Sequence, residues 1–396
     1  VQFMLRAVRR CCGQGGMPTD MDAGAFYNAC FNGRFTVVTN AIAEGVDQAT
    51  LDQKTTIGYT PLFGAAYNGH DAVCKILLDA GATVDIPNNE GATPLLMAAN
   101  NNAEGVVRVL LKYNASVDAA NASGATPLIV AAQKGRKGIV EHLLEAGAKL
   151  DGALSDGATP LYVAAQNGHD SVVSALLAAG AAVDVRKKNG ATPLLMAAQM
   201  GHEAVVKTLL GAGAAIDAGM VDGFNPLQAA TQQSQEGVVK ALLAAGAKVD
   251  ATADDAVTSL RTAAFNGHEA IVKALIGAGA ALDAAGDDGA TPLYMASQMG
   301  RDAVVKALLD AGAKAEITCP GDEDCTPLHV AAAFGRAGAV EALLAAKADA
   351  SKQNAGGHTA LVLAGSPEKL EFFVATGQVK GEGHAACEVL LSAAAK

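Results

Sequence analysis

The sequence lacks tryptophan, has few aromatic residues and contains no long apolar run. Of its 396 residues none is Trp and 4% are aromatic, whereas 44 are Gly. This composition fits thin, alanine-rich helices separated by glycine turns, since Ala is the strongest helix former. No stretch of 18 or more apolar residues occurs, so the sequence predicts no membrane-spanning helix.

Basic residues are also scarce. Lys and Arg number 29 against 40 Asp and Glu, and the formal net charge is −11. Phosphate contacts need a basic surface, so this balance argues against nucleic-acid binding. The seven cysteines are odd in number and widely scattered, unlike the disulfide framework of a small secreted protein. We therefore predict an intracellular protein, located in the cytoplasm.

The N-terminal leader departs from the acidic balance. Residues 1–19 contain Arg6, Arg9 and Arg10 and no acidic residue. A basic leader without acids is typical of organelle-targeting peptides, and it is equally compatible with a disordered extension. Both interpretations stay open, and import into an organelle is the alternative to the cytoplasm.

Motifs for catalysis or cofactor binding are missing from the sequence. There is neither a Walker A loop nor a G-x-S-x-G nucleophile elbow. Four histidines recur at one position of a repeating pattern, but packed helices lie about 8–10 Å apart, too far for these side chains to share a metal ion. They are His70, His169, His202 and His268. We predict no enzyme activity, no cofactor and no metal site.

A repeat of 33 residues dominates the rest of the chain. Its marker is a Thr-Pro pair, and Thr is a good helix N-cap while Pro suits the first helical position. A glycine turn and a second helix with a Leu-Leu pair follow each marker. The helix pair cannot enclose a core alone, so successive copies must stack. The markers stand at Thr60, Thr93, Thr126, Thr159, Thr192, Thr291 and Thr326, and in altered form as Asn225-Pro226, Thr258-Ser259 and Thr359-Ala360.

The pattern G-x-T-P-L-x-x-A-A-x-x-G-H, followed by L-L-x-x-G-A, resembles the ankyrin repeat over nearly the whole chain from about Asp22. The resemblance implies an all-α ankyrin-repeat solenoid of about eleven helix-turn-helix units joined by β-hairpin fingers. It also implies that the turn histidine satisfies backbone groups. Partners of such proteins usually lie in the concave groove formed by the finger tips and the inner helices.

We expect three segments: a leader over 1–21, repeats over 22–365 and an irregular C-terminal capping segment over 366–396. Repeat nine should end in a finger lengthened by two residues, from Glu316 to Cys325. Its two cysteines could form a redox-labile disulfide or a cation site, or the finger could simply be flexible and acidic. The C-terminal segment has two interpretations: either 366–376 is a shortened outer helix, or 366–382 is an insertion inside repeat eleven.

Candidate contact residues follow from the positions that vary within the family. In repeats one and two these positions and a neighbouring one are aromatic, at Tyr27, Phe31, Tyr59, Phe63 and Tyr67. In the middle of the array they form a polar floor of Gln133, Gln166, Gln199, Gln232 and Gln298. The later finger tips are acidic, at Asp222, Asp254, Asp255, Asp287, Asp288, Asp322, Glu323 and Asp324, above a floor of Arg261, Phe265, His329 and Phe334.

These features predict a protein-protein interaction scaffold or adaptor. The aromatic patch suits binding hot spots, and the acidic tips would attract a partner with a basic segment. We expect a chain that is monomeric alone or part of a hetero-complex. The alternative is a permanent structural subunit of a large assembly, motivated by the apolar last helix, which lacks the polar outer face of a cap.

Overall fold

A computed structural model describes residues 22–253, 256–366 and 382–395 of the chain. The predicted leader, Asp254, Asp255 and residues 367–381 lie outside these ranges. The chain divides into two compact units, Val1–Lys188 and Asn189–Lys396. Each unit is built from pairs of short helices stacked in chain order, which confirms the predicted all-helical repeat architecture.

The described part of unit 1 contains five helix pairs, each with an inner and an outer helix. Repeat one has an extra short helix, Gln48–Leu51, whose Gln48 side chain donates to the carbonyl of Gly81 at 3.1 Å. The pairs are Ala23–Phe31 with Phe35–Glu44, Pro61–Tyr67 with Asp71–Asp79, Pro94–Asn100 with Glu104–Lys112, Pro127–Gln133 with Lys137–Glu145, and Pro160–Gln166 with Asp170–Ala178.

Unit 2 continues with the same helix pairs, and a 3-10 turn at Pro320–Asp322 interrupts it before repeat ten. Its pairs are Pro193–Met200 with Glu203–Gly211, Pro226–Gln232 with Glu236–Ala244, Ser259–Asn266 with Glu269–Gly277, Pro292–Met299 with Asp302–Asp310, Pro327–Ala333 with Ala337–Ala345, and Ala360–Gly365 with Glu382–Ala394.

The inner helices begin where the sequence predicts. The Thr60 hydroxyl accepts the backbone N–H of Phe63 at 3.1 Å, with Pro61 in the first turn. The cap survives where the Thr-Pro pair is lost, since Thr258 caps without a following proline. At Asn225 the side chains of Asn225 and Gln228 each accept a backbone N–H of the other, forming a capping box.

The core lies between the two helices of each pair and between neighbouring pairs. In repeat five Val172, Val173 and Leu176 of the outer helix are fully buried, and Ala164 and Ala165 of the inner helix are too. Small alanines let the helices approach closely, and the valines and leucine fill the remaining space. The inner and outer faces of each repeat are therefore fixed by this packing.

Fingers join one repeat to the next as tight turns. Most of the described fingers close on a backbone hydrogen bond, such as Asn88 N–H to the Ala92 carbonyl at 2.9 Å. Strand pairing within the described residues is confined to two isolated bridges, Cys319 with Cys325 and Gln353 with Thr359. Neighbouring fingers also bond to each other, as Ala122 N–H does to the Glu90 carbonyl at 3.1 Å.

A recurring carboxylate links successive repeats at the base of the fingers. The Asp118 carboxylate accepts the backbone N–H of Lys149, 31 residues ahead, at 3.0 Å. Repeats nine and ten use Glu316 and Asp349 instead, which are 33 residues apart because two residues are inserted between them. Further pairs with this geometry include Asp52 with Thr83, Asp85 with Ser116, Asp217 with Lys248, Asp250 with Ala281 and Asp283 with Lys314.

The last helix occupies the outer position of repeat eleven. Glu382–Ala394 packs against Ala360–Gly365, the inner helix of that repeat, and against Ala337–Ala345, the outer helix of repeat ten. His384 Nε2 lies 2.8 Å from the Ala333 carbonyl, the contact that the turn histidine makes in other repeats. These contacts favour the interpretation in which residues 366–382 are an insertion inside repeat eleven. Residues 367–376 of the alternative helix lie outside the described residues.

Candidate functional site

The predicted aromatic residues of unit 1 come together on its inner helices. Phe31 stacks on Tyr67 with ring centroids 6.4 Å apart, and Tyr27 lies 5.8 Å from Phe31. Tyr59, on the following finger, lies 6.2 Å from Tyr67. Gly64 makes room for this cluster, because a Cβ there would sit 3.1 Å from the Tyr27 ring. We call Tyr27, Phe31, Tyr59 and Tyr67 the aromatic patch.

The four rings of the aromatic patch are partly exposed to solvent, whereas the fifth predicted aromatic residue, Phe63, is not. Tyr67 is 36% exposed, and Tyr27, Phe31 and Tyr59 are half-buried. Phe63, which was predicted as a contact, is fully buried, because it packs under Tyr59 at 4.2 Å and against Leu96 of the next repeat. Phe63 therefore supports the patch from beneath and offers no surface to a partner.

The tyrosine hydroxyls of the aromatic patch are able to form further hydrogen bonds. Within the described residues, Tyr27, Tyr59 and Tyr67 make no side-chain hydrogen bond to the protein. Burial raises the pKa of Tyr27, so its phenol stays neutral and can donate. Nearby carbonyls are already satisfied, since Asn68 donates to Phe31 at 3.0 Å and Asn101 donates to Tyr67 at 2.7 Å.

In repeats seven to ten of unit 2 the third residue after the helix cap reaches the following finger. Gln228 donates to the Val257 carbonyl at 2.9 Å, and the Arg261 guanidinium pairs with Asp288. The Tyr294 hydroxyl donates to Asp322, and His329 Nε2 lies 3.0 Å from the Lys352 carbonyl. The same position in repeats two to six is filled by Phe63, Leu96, Ile129, Tyr162 and Leu195. Sequence reasoning missed this series, although the change from apolar or aromatic to mostly polar residues at one position signals it.

Several predicted contacts of unit 2 prove to be buried. Phe265 is 39% exposed, as a contact residue should be, but Arg261 and Phe334 are only 9% and 6% exposed. Phe334 packs with Tyr294, Cys319 and other core residues because the finger before repeat ten folds over it. Arg261 is covered through its pairing with Asp288, and His329 is buried through its backbone bonds.

The acidic edge is also smaller than predicted. Asp287 is exposed, and the Asp288 side chain is 53% exposed despite its pairing with Arg261. Asp322 is buried, and burial raises its pKa even though the Tyr294 hydroxyl opposes that shift. Asp254 and Asp255 lie outside the described residues, so their place on this edge stays a prediction.

The two cysteines of the lengthened finger are free thiols with different partners. Cys319 Sγ donates to the Asp288 carbonyl at 3.3 Å, and Cys325 Sγ accepts from Asn354 Nδ2 at 3.5 Å. Burial raises the pKa of both thiols, that of Cys325 to about 12. Within the described residues no cluster of His, Cys, Asp or Glu has the arrangement of a metal site.

The repeated histidines bind backbone carbonyls. His70 Nε2 lies 3.1 Å from the Phe31 carbonyl and His169 Nε2 lies 3.0 Å from that of Gln133. Arg301 and Arg336 replace histidine at this position and donate in the same way to Phe265 and Gln298. The side chain at this position therefore bonds to a carbonyl at the end of the inner helix of the preceding repeat, which agrees with the backbone role that the family resemblance implied.

The glutamine floor is uneven. Gln133 and Gln232 are exposed, Gln166 and Gln199 are half-buried, and Gln298 is only 7% exposed. Gln298 lies beside the lengthened finger, which covers it. Across the described part of the chain, no helix is both long and apolar enough to cross a bilayer.

Comparison with known families matches almost the whole described chain. A family described as "Ankyrin repeats (3 copies)" matches residues 26–121, 84–152, 117–187, 161–253 and 250–319. A second, described as "Ankyrin repeat", matches residues 323–355. No curated protein matches the chain.

Proposed function

Because the chain belongs to the ankyrin-repeat family, whose repeats are generally protein-binding modules, we propose that it is a non-catalytic scaffold or adaptor. It binds a polypeptide partner on the face formed by the inner helices and finger tips. In unit 1 the contact surface is the aromatic patch. In unit 2 the exposed Phe265 and the carboxylates of Asp287 and Asp288 give a second surface suited to a basic segment.

The aromatic patch is the observation that supports this proposal most directly. Three of the six tyrosines of the chain lie in it, although aromatic residues make up only 4% of the sequence. Tyrosine presents a large apolar ring and a hydroxyl while losing little side-chain freedom, and it is enriched among binding hot spots. Gly64 leaves room for these rings and Phe63 packs beneath them, so they stay partly exposed to solvent. Another polypeptide could bury the exposed part.

Affinity capture with matched variants tests the proposal. The double variant Tyr59→Ser, Tyr67→Ser should lose the captured partner, with a cost above about 2 kcal/mol when the purified partner is titrated. Tyr113→Ser is the control, because Tyr113 lies at the end of an outer helix and bonds to Asp79. Equal binding by the wild type and the double variant would remove the aromatic patch from the proposal.

A permanent structural subunit is the alternative, and one observation favours it. Val389 on the last described helix is 71% exposed, and apolar surface at the end of a repeat array suits burial in an assembly. Size-exclusion chromatography of the recombinant chain separates the two functions. A monodisperse monomer supports the adaptor, whereas aggregation cured by one co-purifying subunit supports the structural role.

A further inference from the structure

The lengthened finger before repeat ten builds a small cleft beside the inner helix of repeat nine. Pro320 packs against Gly289 of the preceding finger, where an added Cβ would lie 2.6 Å from its ring. Gly321 sits so close to the Asp288 carbonyl that a Cβ would lie 2.7 Å from its oxygen. The finger is therefore held against its neighbour and forms a wall beside the inner helix Pro292–Met299.

This cleft has a volume of about 120 Å³. Its lining consists of Asp288, Ala290, Tyr294, Met295, Gln298, Cys319, Gly321 and Asp322. At roughly 30 Å³ per water molecule it holds about four waters, far below the several hundred Å³ of a site for a drug-sized ligand or cofactor. The cleft fits one side-chain end group.

Gln298 lines this cleft with a side-chain amide whose bonding is incomplete. Only 7% of the residue is exposed to solvent, and its backbone carbonyl accepts a hydrogen bond from the Arg336 side chain. Within the described residues its side-chain amide has no hydrogen-bond partner. The amide atoms keep some contact with solvent, and an amide that has no protein partner at the wall of a cleft has hydrogen-bonding capacity left for a ligand.

Two carboxylates share the cleft with this amide. Asp288 is neutralised by Arg261, while the Asp322 carboxylate receives only the Tyr294 hydroxyl, on one of its two oxygens. Together with the Gln298 carbonyl, these groups offer three acceptors. The Asp322 carboxylate has no ion pair among the described residues; burial raises its pKa, whereas an ammonium group beside it would favour the charged form. A lysine ammonium has three donors and a single positive charge in a compact head, and the Met295 thioether is a suitable neighbour for its alkyl stem.

The geometry points to a lysine-binding cleft, in which a lysine of the partner polypeptide donates to Asp288, Asp322 and Gln298. This inference deepens the proposed function, because it assumes a polypeptide on the inner-helix face and names the residue type that unit 2 accepts. The inserted residues of the finger thereby give unit 2 a preference for a lysine side chain of the partner.

Methyl-labelled methionine allows a direct test on the full chain. We would titrate the peptide acetyl-Gly-Ala-Lys-Ala-Gly-amide and follow the Met295 methyl signal, with Met97 of unit 1 as internal reference. The lysine peptide should shift Met295 in a saturable way below about 10 mM, and Met97 should not move. Peptides with norleucine, acetyl-lysine or arginine at the centre should bind at least about tenfold more weakly.

Substitutions make the test specific. Asp322→Asn keeps an acceptor for Tyr294 but removes the charge, and Gln298→Leu removes the amide. Each should weaken lysine-peptide binding at least about tenfold. Gln232→Leu, at the same position of repeat seven but exposed, should leave it unchanged. A thermal melt that matches the wild type confirms that the variants are folded.

Other outcomes would overturn the inference. Equal binding of the norleucine peptide would show an apolar cleft, and equal binding of the arginine peptide would remove the preference for an ammonium group. Binding of n-butylamine as tight as that of the peptide would identify a free amine, not a polypeptide, as the ligand. A partner captured through the aromatic patch, with Met295 unresponsive to lysine, would remove the cleft and leave the proposed function standing.

Discussion

His329 shows how a single buried residue can make the stability of unit 2 depend on pH. Its Nδ1 atom accepts the backbone N–H of Thr326 at 3.2 Å, which only an unprotonated nitrogen can do. Its Nε2–H therefore donates to the carbonyls of Lys352 and His358 at 3.0 and 3.1 Å. Burial lowers the pKa of His329 from its ordinary 6.5. The unfolded chain thus binds the proton more readily than the folded one.

We predict that unit 2 loses stability as the pH falls below about 6.5, the unfolded pKa of histidine, and continues to lose it down to the lowered folded value. The substitution His329→Gln should reduce this loss, because Gln228 already makes the equivalent two bonds in repeat seven without titrating. Urea unfolding of both proteins at pH 7 and pH 5 measures the effect. An identical pH dependence in wild type and variant would contradict the assignment.

Among the secondary-structure elements, the turn between the inner and outer helices of repeat seven contains backbone strain that a glycine would relieve. Gly168 and Gly201 adopt φ of 74° and 80° there, but in repeat seven the position is Ser234, with φ of 57°. A left-handed conformation costs a residue with a Cβ roughly 1 kcal/mol. Ser234 is exposed, so its side chain contributes little packing.

Replacing Ser234 with Gly should therefore stabilise repeat seven by about 0.5 kcal/mol, after allowing for the greater freedom of glycine in the unfolded chain. Ser234→Ala is the control, since alanine keeps the strain and should give no gain. Denaturant unfolding with hydrogen exchange over residues 226–244 locates the change. A gain of the same size from alanine would mean that the serine side chain, not the backbone angle, is responsible.

Elements of this fold were predictable because their signals are local. The Thr60 cap, Pro61 and the glycine turns act within a few residues of each other, so their spacing alone indicates the helix pairs. Burial of Phe63 and Asp322 was not predictable in the same way, because it depends on where a neighbouring repeat or finger lies. The cleft around Gln298 had one signal, the two-residue insertion, but its lining comes from three separated segments.

At the scale of the whole molecule, repeat arrays are stabilised mainly by contacts between neighbouring repeats, so damage at one end should stay near that end. Leu391 and Val389 lie on the same last helix, one 1% and the other 71% exposed. Leu391→Ser should destabilise its surroundings by about 3 kcal/mol, whereas Val389→Ser should have little effect.

Hydrogen exchange of the full chain checks this prediction. With Leu391→Ser, protection should fall in the helices Ala337–Ala345 and Ala360–Gly365, which contact the last helix, and should persist in the first repeats. A uniform fall across both units would show that the chain unfolds as one cooperative body. A strong effect of Val389→Ser would show that this side chain has a contact in solution.

The carboxylates at the base of the fingers affect how such a chain can evolve. Each one accepts from a main-chain N–H, and the residues supplying that N–H are as different as Thr83, Ser116, Lys149 and Ala281. This hydrogen bond between repeats therefore does not depend on which side chain the donor residue has. Whole modules can accordingly be duplicated, shuffled or exchanged without rewriting the junction, and each new copy leaves its outward-facing positions free to diversify.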